Sequence, residues 1–379
     1  MGYLSATAQA GKLDLAALMM RVIGQGGPGG YRQVVQILRM RLQGYSINID
    51  EYYTYGLWRK AEGRALLREL LTARQLRGFN RALAMPSRGM ATDQLTDKLA
   101  TETILRDAGL PTTRTLACHG GGPIPADVQT LTDRAAVAAF LSDPANLPVF
   151  GKPRADTYAR GAVAITGAGE DGTVTFLDGT RAPVVELAQE ITWDWTDGYL
   201  FQPFYPSHPD LARHIGPAMA SLRIVTVLTD RGVEPYYAVL RIPAKKAMHD
   251  GDHSGTRVWG LVDMATGALT RLRNLRDPVT PDITHWMDRQ VPLLGLVLPH
   301  WPQALADVCR AHACFPAHGI LGWDVFLTPD AALINEANNN PGHVYQAAAQ
   351  RGLRNADLDP IYARALAYAT GVNRAAPAP

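Results

Sequence analysis

Apolar residues recur at helical spacing through the first 90 residues of the chain. The stretches 13–23 and 31–42 carry apolar residues three or four positions apart, and Asp50 can cap a further helix rich in tyrosine. The glycine-rich stretch 24–30 interrupts this pattern. No Gly-Lys-Ser/Thr follows it, and so it predicts a flexible connection rather than a phosphate-binding loop. Residues 1–91 are therefore predicted to form a mostly helical region.

Beyond residue 91, short runs of β-branched and aromatic residues appear between helical stretches. Helical spacing and capping residues predict helices at 92–108, 132–141, 184–191 and 303–313. The apolar runs predict strands at 113–118, 149–153, 162–166, 198–204, 222–228, 234–242, 259–264 and 268–271. The helix at 303–313 leads directly into the stretch that carries the most chemistry.

The stretch 321–342 predicts a β-hairpin with a turn at 328–331. If the turn is centred on Asp330, Leu327 faces Leu333 on the neighbouring strand. The same register places Asp324 opposite Glu336. One face of the hairpin therefore carries two opposed carboxylates.

Asn338 lies on that face as well, because side chains alternate along a strand and Glu336 is two residues away. Two carboxylates at this spacing repel each other, and a divalent cation would offset the repulsion. Oxygen ligands of this kind suit Mg²⁺, with Mn²⁺ as an alternative. An exposed sheet face with ordinary surface acids would produce the same pattern, and this stretch alone does not separate the two interpretations.

A lysine stands inside the short apolar strand 149–153. Buried lysines need a partner, and a phosphate group would serve Lys152 as one. The polar turn that follows ends in Arg160 and Gly161, and it could cover such a phosphate. The alternative is a lysine at a sheet edge that reaches solvent with its amine.

Composition limits the classes of partner. The chain has 379 residues, 47% of them hydrophobic, and a net charge of +2, so no nucleic-acid-binding surface is expected. Three cysteines are too few for a disulfide framework and favour a reducing, cytoplasmic location. No run of eighteen apolar residues is present, and so no membrane span is expected. A homodimer is compatible with the sequence.

Three segments in this order resemble the ATP-grasp superfamily, and within it the sugar-transfer-associated (α-L-glutamate ligase-related) proteins. The segments are TDKLATETILRDAGLPT, GKPRADTYARGAVAI and GWDVFLTPDAALINEANNNPG. The resemblance implies an α+β, ATP-grasp fold in which two α+β lobes clamp ATP. Residues 92–205 would form the pre-ATP segment and the small lobe, and residues 206–379 the large lobe with the metal hairpin.

The resemblance also implies roles for individual residues at the nucleotide. Lys98 and Lys152 would contact the phosphates of ATP, and Gly161 and Arg160 would belong to the loop that covers them. Gln202 would lie at the hinge where adenine binds, with the Pro203 carbonyl and the Phe204 N–H at the adenine edge. Asp210 is a candidate for the ribose.

Further roles concern the reacting groups. Arg223 would hold the γ-phosphate, with Lys152 as a second catalytic residue, and Asp324, Glu336 and Asn338 would bind two Mg²⁺ ions. The long polar loop 243–257 is the candidate contact to the acyl substrate or the amine. The residues assigned to this substrate contact are Arg241, Lys245, Lys246, His249, Asp252, His253 and Ser254.

The implied activity is an ATP-dependent ligase that joins a carboxylate to an amine through an acylphosphate, releasing ADP and phosphate. The acid would be a small molecule such as an amino acid. A thiol nucleophile, a phosphotransferase that stops at phosphate transfer, and a non-catalytic nucleotide-binding protein remain alternatives.

Two positions depart from the family pattern: Gly322 stands where many relatives have arginine, and Gln202 where the hinge usually has glutamate.

Overall fold

The computed structural model shows two seven-stranded sheets and a helical N-terminal region. It describes residues 2–4, 14–89, 95–155, 161–216, 219–242, 258–275, 277, 279, 282–286, 292–342 and 344–375. The first five helices are α1 (Leu15–Gly24), α2 (Gly30–Leu42), α3 (Ile49–Thr54), α4 (Lys60–Glu69) and α5 (Ala73–Arg81). Capping boxes begin two of them, at Asn48 with Glu51 and at Thr72 with Gln75. The predicted helical N-terminal region is confirmed.

The first sheet has the strand order β2-β1-β7-β3-β4-β5-β6. Its strands are β1 (Ala117–His119), β2 (Gln129–Leu131), β3 (Val149–Pro153), β4 (Val163–Ala168), β5 (Thr173–Phe176), β6 (Arg181–Pro183) and β7 (Tyr199–Pro203). Three helices belong to this part of the chain: α6 (Lys98–Asp107), α7 (Arg134–Ser142) and α8 (Val184–Asp194). Short 3₁₀ turns lie at Pro86–Arg88 and Pro144–Asn146.

The second sheet has the order β12-β11-β10-β9-β8-β13-β14 and ends in the predicted hairpin. Its strands are β8 (Ser221–Thr229), β9 (Gly232–Ile242), β10 (Val258–Val262), β11 (Leu269–Asn274), β12 (Asp282–Ile283), β13 (Ile320–Leu327) and β14 (Ala332–Asn338). The remaining helices are α9 (Pro209–Ile215), α10 (Trp301–Ala313), α11 (Val344–Ala349) and α12 (Asp359–Ala375). The mixed helices and sheets confirm the α+β class.

Both faces of the second sheet are buried. Val225, Val227 and Val239 pack with the N-terminal helices and with α11 and α12, whereas Ile224 and Leu240 pack with α10 on the opposite face. The amide of Gln346 on α11 ties the two ends of the chain, since it accepts from Leu71 N (2.8 Å) and donates to Leu71 O (2.7 Å). The N-terminal helices thus cover the same sheet face to which Arg223 belongs, two residues before Val225.

Two local predictions were wrong. Segment 113–118 is a strand only from Ala117, because the Thr113 N–H donates to Ile334 O of the second sheet instead of a strand neighbour (3.0 Å). In the hairpin, Leu327 faces Ala332 rather than Leu333, because a β-bulge shifts the register after Asp324. The strands β2, β5, β6 and β12 are two to four residues long and left no periodic signal.

Candidate active site

A row of charged side chains crosses three adjacent strands of the second sheet. Asp324 on β13 is in register with Arg223 on β8 and with Glu336 on β14. Side chains of paired residues point to the same face, and so the three groups stand side by side. Asn338 lies two residues beyond Glu336 and donates from Nδ2 to Glu336 Oε1 at 3.2 Å. The hairpin therefore gathers the predicted carboxylates and amide.

Arg223 and Asp324 form a buried bidentate ion pair. Arg223 Nε lies 2.5 Å from Asp324 Oδ1, and Arg223 Nη2 lies 2.8 Å from Asp324 Oδ2. Arg223 Nη1 donates to the Pro341 carbonyl at 3.2 Å, and Arg241 Nη1 lies 3.5 Å from Asp324 Oδ2. Burial raises the pKa of Asp324, but Arg223 and Arg241 outweigh burial and lower it to about 2. Asp324 is therefore ionised at neutral pH.

This geometry changes the expectation for Arg223. All three nitrogens of its guanidinium already donate to protein oxygens, two of them to Asp324. Each terminal nitrogen of an arginine carries two hydrogens, and so at most two N–H groups remain for a phosphate. Arg223 holds Asp324 in place, and its contact to the γ-phosphate stays a prediction that the remaining N–H groups allow. Arg241, half-buried on the same face, is the second cation of this cluster.

The predicted metal ligands offer a suitable set of oxygens. Asp324 and Glu336 are in register on adjacent strands, so that their carboxylates stand side by side, and a cation between them would offset their repulsion. Asn338 donates through its nitrogen, which leaves its carbonyl oxygen for a ligand. In the described part of the chain, three or more His, Cys, Asp or Glu side chains nowhere converge on one point. Two carboxylates and one amide fit Mg²⁺, which needs few protein ligands.

Lys152 approaches this row from the first sheet. Its Nζ donates to Asn335 Oδ1 at 2.8 Å, and its side chain is buried. Burial lowers the pKa of Lys152 to about 8, while Glu336 raises it and Lys98 lowers it. Lys152 and Lys98 are thus close enough to repel each other, as expected for two groups that bind one polyanion.

Sequence reasoning missed Asn335 because its role depends on the β-bulge. Asp324 pairs with Glu336 and Val325 pairs with Ile334, so that Asn335 has no partner on β13. The extra residue of a bulge re-aims its side chain. Here that side chain meets Lys152.

An arginine that sequence reasoning also missed positions Lys98. Asp97 caps α6 by accepting from Leu99 N and Ala100 N, and it forms a bidentate ion pair with Arg154 at 2.9 and 2.6 Å. Lys98 N donates to Arg154 O at 3.1 Å. Arg154 follows β3 directly, and so it fixes the start of α6 beside the strand that carries Lys152.

Gln202 lies in a buried polar network at the end of β7. Its Nε2 donates to Glu102 Oε2 (3.2 Å) and Thr113 Oγ1 (3.2 Å). Glu102 on α6 also accepts from Thr115 N (2.7 Å) and Thr115 Oγ1 (2.6 Å). Glutamine replaces the usual glutamate here because Glu102 already supplies the carboxylate, and Gln202 supplies the donor.

The predicted adenine contacts, the Pro203 carbonyl and the Phe204 N–H, lie at the end of β7. The Phe204 N–H donates to the Pro148 carbonyl at 3.2 Å and is therefore already used within the protein. Pro203 is in register with Val149 on β3, at the same edge of the strand pair. Asp210 lies exposed on α9 and pairs with Arg213 at 3.1 Å. Its assignment to the ribose stays a prediction.

Gly161 anchors the end of the predicted phosphate-covering loop. Its φ is +71°, and a Cβ there would lie 2.3 Å from Trp195 Cζ2. The hydroxyl of Tyr199 donates to Gly161 O at 2.7 Å. Arg160 lies outside the described residues, as do Lys245, Lys246, His249, Asp252, His253 and Ser254.

The family model for sugar-transfer-associated ATP-grasp proteins matches residues 87–361, well over half of the chain. The chain belongs to this ATP-grasp family. The matched range contains Lys98, Lys152, the Arg223 strand and the whole hairpin 321–342. The resemblance inferred from the three sequence segments, and the ATP-grasp fold with it, is confirmed.

Solved ATP-grasp structures are similar at low identity. They include D-alanine-D-alanine ligase from Coxiella burnetii (13% identity, 74% of this chain and 60% of that chain, TM-score 0.38). Biotin carboxylase from Campylobacter jejuni also matches, at 11% identity over 76% of this chain and 48% of that chain, with a TM-score of 0.43. L-amino acid ligase from Bacillus licheniformis matches at 12% identity over 67% of this chain and 43% of that chain, with a TM-score of 0.33. The chain thus spans about half the length of these structures. No curated protein sequence matches the chain.

The departure of this ATP-grasp chain at Gly322 has a steric reason. A Cβ at that position would lie 2.6 Å from Pro341 Cβ and 3.3 Å from Arg223 Cδ. Pro341 and Arg223 occupy the space that a longer side chain would need, and so a second arginine cannot stand there.

Among the described residues, no helix has the length and apolar character needed to cross a bilayer.

Proposed function

We propose that the protein is an ATP-dependent ligase that joins the carboxylate of a small molecule to an amine. The observation that carries this proposal is the row Arg223–Asp324–Glu336, with Lys152 facing it from the other sheet. Cations that face a pair of carboxylates suit a metal-bound triphosphate, because phosphoryl transfer is catalysed mainly by positioning and charge neutralisation. Family membership supports the use of ATP.

In the proposed reaction, a carboxylate oxygen of the acid attacks the γ-phosphorus of ATP, and the bond to the β-γ bridging oxygen breaks to release ADP. The amine nitrogen then attacks the acyl carbon of the acylphosphate. The carbon–oxygen bond to phosphate breaks, the amine loses a proton, and an amide and inorganic phosphate remain. No redox step is needed.

The residues have distinct parts in this scheme. Lys152 and Lys98 bind the phosphates, and Arg223 orients Asp324. Arg241, 3.5 Å from Asp324, is assigned to a substrate carboxylate or the transferred phosphoryl group. Asp324, Glu336 and Asn338 would hold magnesium, which when bound neutralises phosphate charge and aligns the transferred group. Residues 243–257 stay a proposed contact to the acyl substrate. The residue boundaries 1–91, 92–205 and 206–379 and the cytoplasmic location likewise remain predictions.

The test is ADP release with panels of carboxylates and amines supplied singly and together, in wild type and Glu336→Gln. We expect ADP and phosphate in equal amounts only when an acid and an amine are both present, with an amide as the product. Turnover should fall by at least about a hundredfold in Glu336→Gln. A stable phosphorylated product formed without an amine would instead identify a phosphotransferase.

A further inference from the structure

Helix α2 presents an apolar stripe to solvent. Tyr31, Val34, Leu38 and Leu42 are exposed by 84%, 46%, 52% and 89%. Their spacing of three, four and four residues places them on one face of the helix. Gln33, Ile37 and Met40 occupy the opposite face and are buried against the protein. The stripe is therefore not part of the core, although helix α2 is anchored by its other face.

Arginines flank this stripe on both sides. At about 100° per residue, Arg32 and Arg39 fall on one flank of α2 and Arg41 on the other. All three are exposed, and the side chains of Arg32 and Arg39 make no hydrogen bond or ion pair with the described residues. Between residues 15 and 48 the sequence contains four arginines and no acidic residue. Arg21 of α1 pairs with Asp277 at 2.6 Å, whereas α2 itself carries three arginines and no acidic residue. The exposed surface of α2 is thus both apolar and basic.

The neighbouring helix also exposes apolar side chains. Helix α1 packs against α2, and the Gln33 amide of α2 donates to Met19 O of α1 at 3.3 Å. Met20 and Ile23 of α1 are exposed. Contiguous exposed apolar surface on a soluble protein marks an interaction site more often than scattered single residues do.

From these observations we infer that the α1–α2 surface docks on an anionic phospholipid bilayer. An apolar stripe bordered by arginines is the pattern of helices that lie in the plane of a membrane interface. The side chains of Leu38 and Leu42 would enter the acyl boundary, while the guanidinium groups reach the lipid phosphates. The proposal concerns surface docking of α2 and requires no membrane-spanning helix.

Charge complementarity favours this partner over a second copy of the chain. In a two-fold dimer the same patch meets itself, and here that would bring the flanking arginines of both copies together without any acid from this stretch. An anionic bilayer supplies the missing negative charge. Docking would hold the ATP site near the membrane surface, because the same helical region covers the sheet face of Arg223.

The chain offers a matched control surface. Helix α8 exposes Val185 and Trp193 by 57% and 69%, a comparable apolar area. Glu186, Glu190 and Asp194 accompany them on that helix. Removing these two apolar groups changes exposed apolar surface without touching the α2 stripe, and so the variant Val185→Gln/Trp193→Gln should leave lipid binding unchanged.

The experiment is co-sedimentation of the full chain with vesicles of phosphatidylcholine alone and with about one third phosphatidylglycerol. We expect wild type and the α8 control to bind the anionic vesicles. The variant Val34→Gln/Leu38→Gln/Leu42→Gln should bind at least about tenfold more weakly. The variant Arg32→Gln/Arg39→Gln should weaken binding less than the triple variant does. Raising the salt from about 0.1 to about 0.5 M should release a smaller fraction of this arginine variant than of wild type from the vesicles.

Folding is checked by thermal melts and by ATP binding, which none of these surface changes should alter. Absence of wild-type binding to anionic vesicles overturns the inference, as does equal binding by the α2 triple variant or equal binding to neutral vesicles. A wild-type dimer that the triple variant dissociates, with no lipid binding, would assign the stripe to a second copy instead.

Discussion

Lys152 and Asn335 join the two sheets at the candidate active site through a hydrogen bond of 2.8 Å from Nζ to Oδ1. The lysine belongs to β3 of the first sheet and the asparagine to β14 of the second. The asparagine reaches the lysine because the β-bulge leaves Asn335 unpaired on β13. This contact gives a buried cation a neutral acceptor beside the carboxylate row.

Asn335→Ala should weaken ATP binding without removing the site. Lys152 loses its acceptor and becomes less well positioned, so the Kd for ATP should rise about three- to tenfold, the equivalent of one hydrogen bond. Titration calorimetry with a non-hydrolysable ATP analogue measures this. Asp330→Ala is the control, because Asp330 lies exposed in the turn of the same hairpin. Equal affinities of Asn335→Ala and wild type would show that Lys152 does not need the contact.

ATP affinity should depend on pH through Lys152. Burial lowers the pKa of this lysine to about 8, and so the amine is charged below that pH and neutral above it. Only the charged form attracts triphosphate, and affinity should therefore fall as the pH rises through about 8, approaching tenfold per unit. Lys152→Arg should bind ATP with little change over the same range, because arginine stays charged. A wild-type profile as flat as that of the arginine variant would contradict the assignment.

Substitutions at Asp324 and Glu336 should both abolish ATP turnover but should differ in their effect on the free energy of unfolding. Asp324→Ala leaves Arg223 buried without its bidentate partner, and the free energy of unfolding should fall by about 3–5 kcal/mol. Glu336 is only half-buried and stands next to another carboxylate, and so Glu336→Gln should change stability by less than about 1 kcal/mol. Both variants should lose ATP turnover. Urea denaturation of the two variants checks the difference, and equal destabilisation would show that the ion pair is not the stabilising element.

The sequence predicted local features of this site better than its long-range contacts. The predicted hairpin is present, but its turn pairs Leu327 with Ala332, and the predicted pair Asp324–Glu336 forms only because the β-bulge shifts the register by one residue. The bulge that frees Asn335 depends on the β13–β14 ladder and left no signal. Glu102 and Gln202 are 100 residues apart, and Arg154 and Asp97 are 57 apart. Such pairs follow from the packing of whole elements, which a single sequence does not specify.

Gln202→Glu should destabilise the protein even though glutamate is usual at this hinge in the family. The new carboxylate would face Glu102 across the 3.2 Å contact that the Gln202 amide now makes. Two buried carboxylates at this distance cannot both ionise, and we expect a loss of about 3 kcal/mol at neutral pH. The pKa of the pair is raised, and so stability relative to wild type should recover as the pH falls towards about 5. The swap Glu102→Gln/Gln202→Glu restores one donor and one acceptor, and denaturant melts should show that it regains most of the loss.

Gly161→Ala should impair the phosphate-covering loop from its anchored end. The backbone there has a φ of +71°, and the added Cβ would lie 2.3 Å from the Trp195 ring, so that strain and overpacking act together. We expect the KM for ATP to rise by about tenfold or more, with a free energy of unfolding lower by about 1–3 kcal/mol. Tyr199→Phe removes only the hydroxyl that donates to Gly161 O and should give a smaller rise in KM. Gly167→Ala in the adjoining strand β4 is the matched control, since a Cβ there meets nothing within 4 Å. Steady-state kinetics of the three variants distinguish two explanations. If the first sheet is weakened in general, the KM for ATP should rise in Gly167→Ala as well. If Gly161 holds the loop, the KM should rise only in Gly161→Ala and Tyr199→Phe.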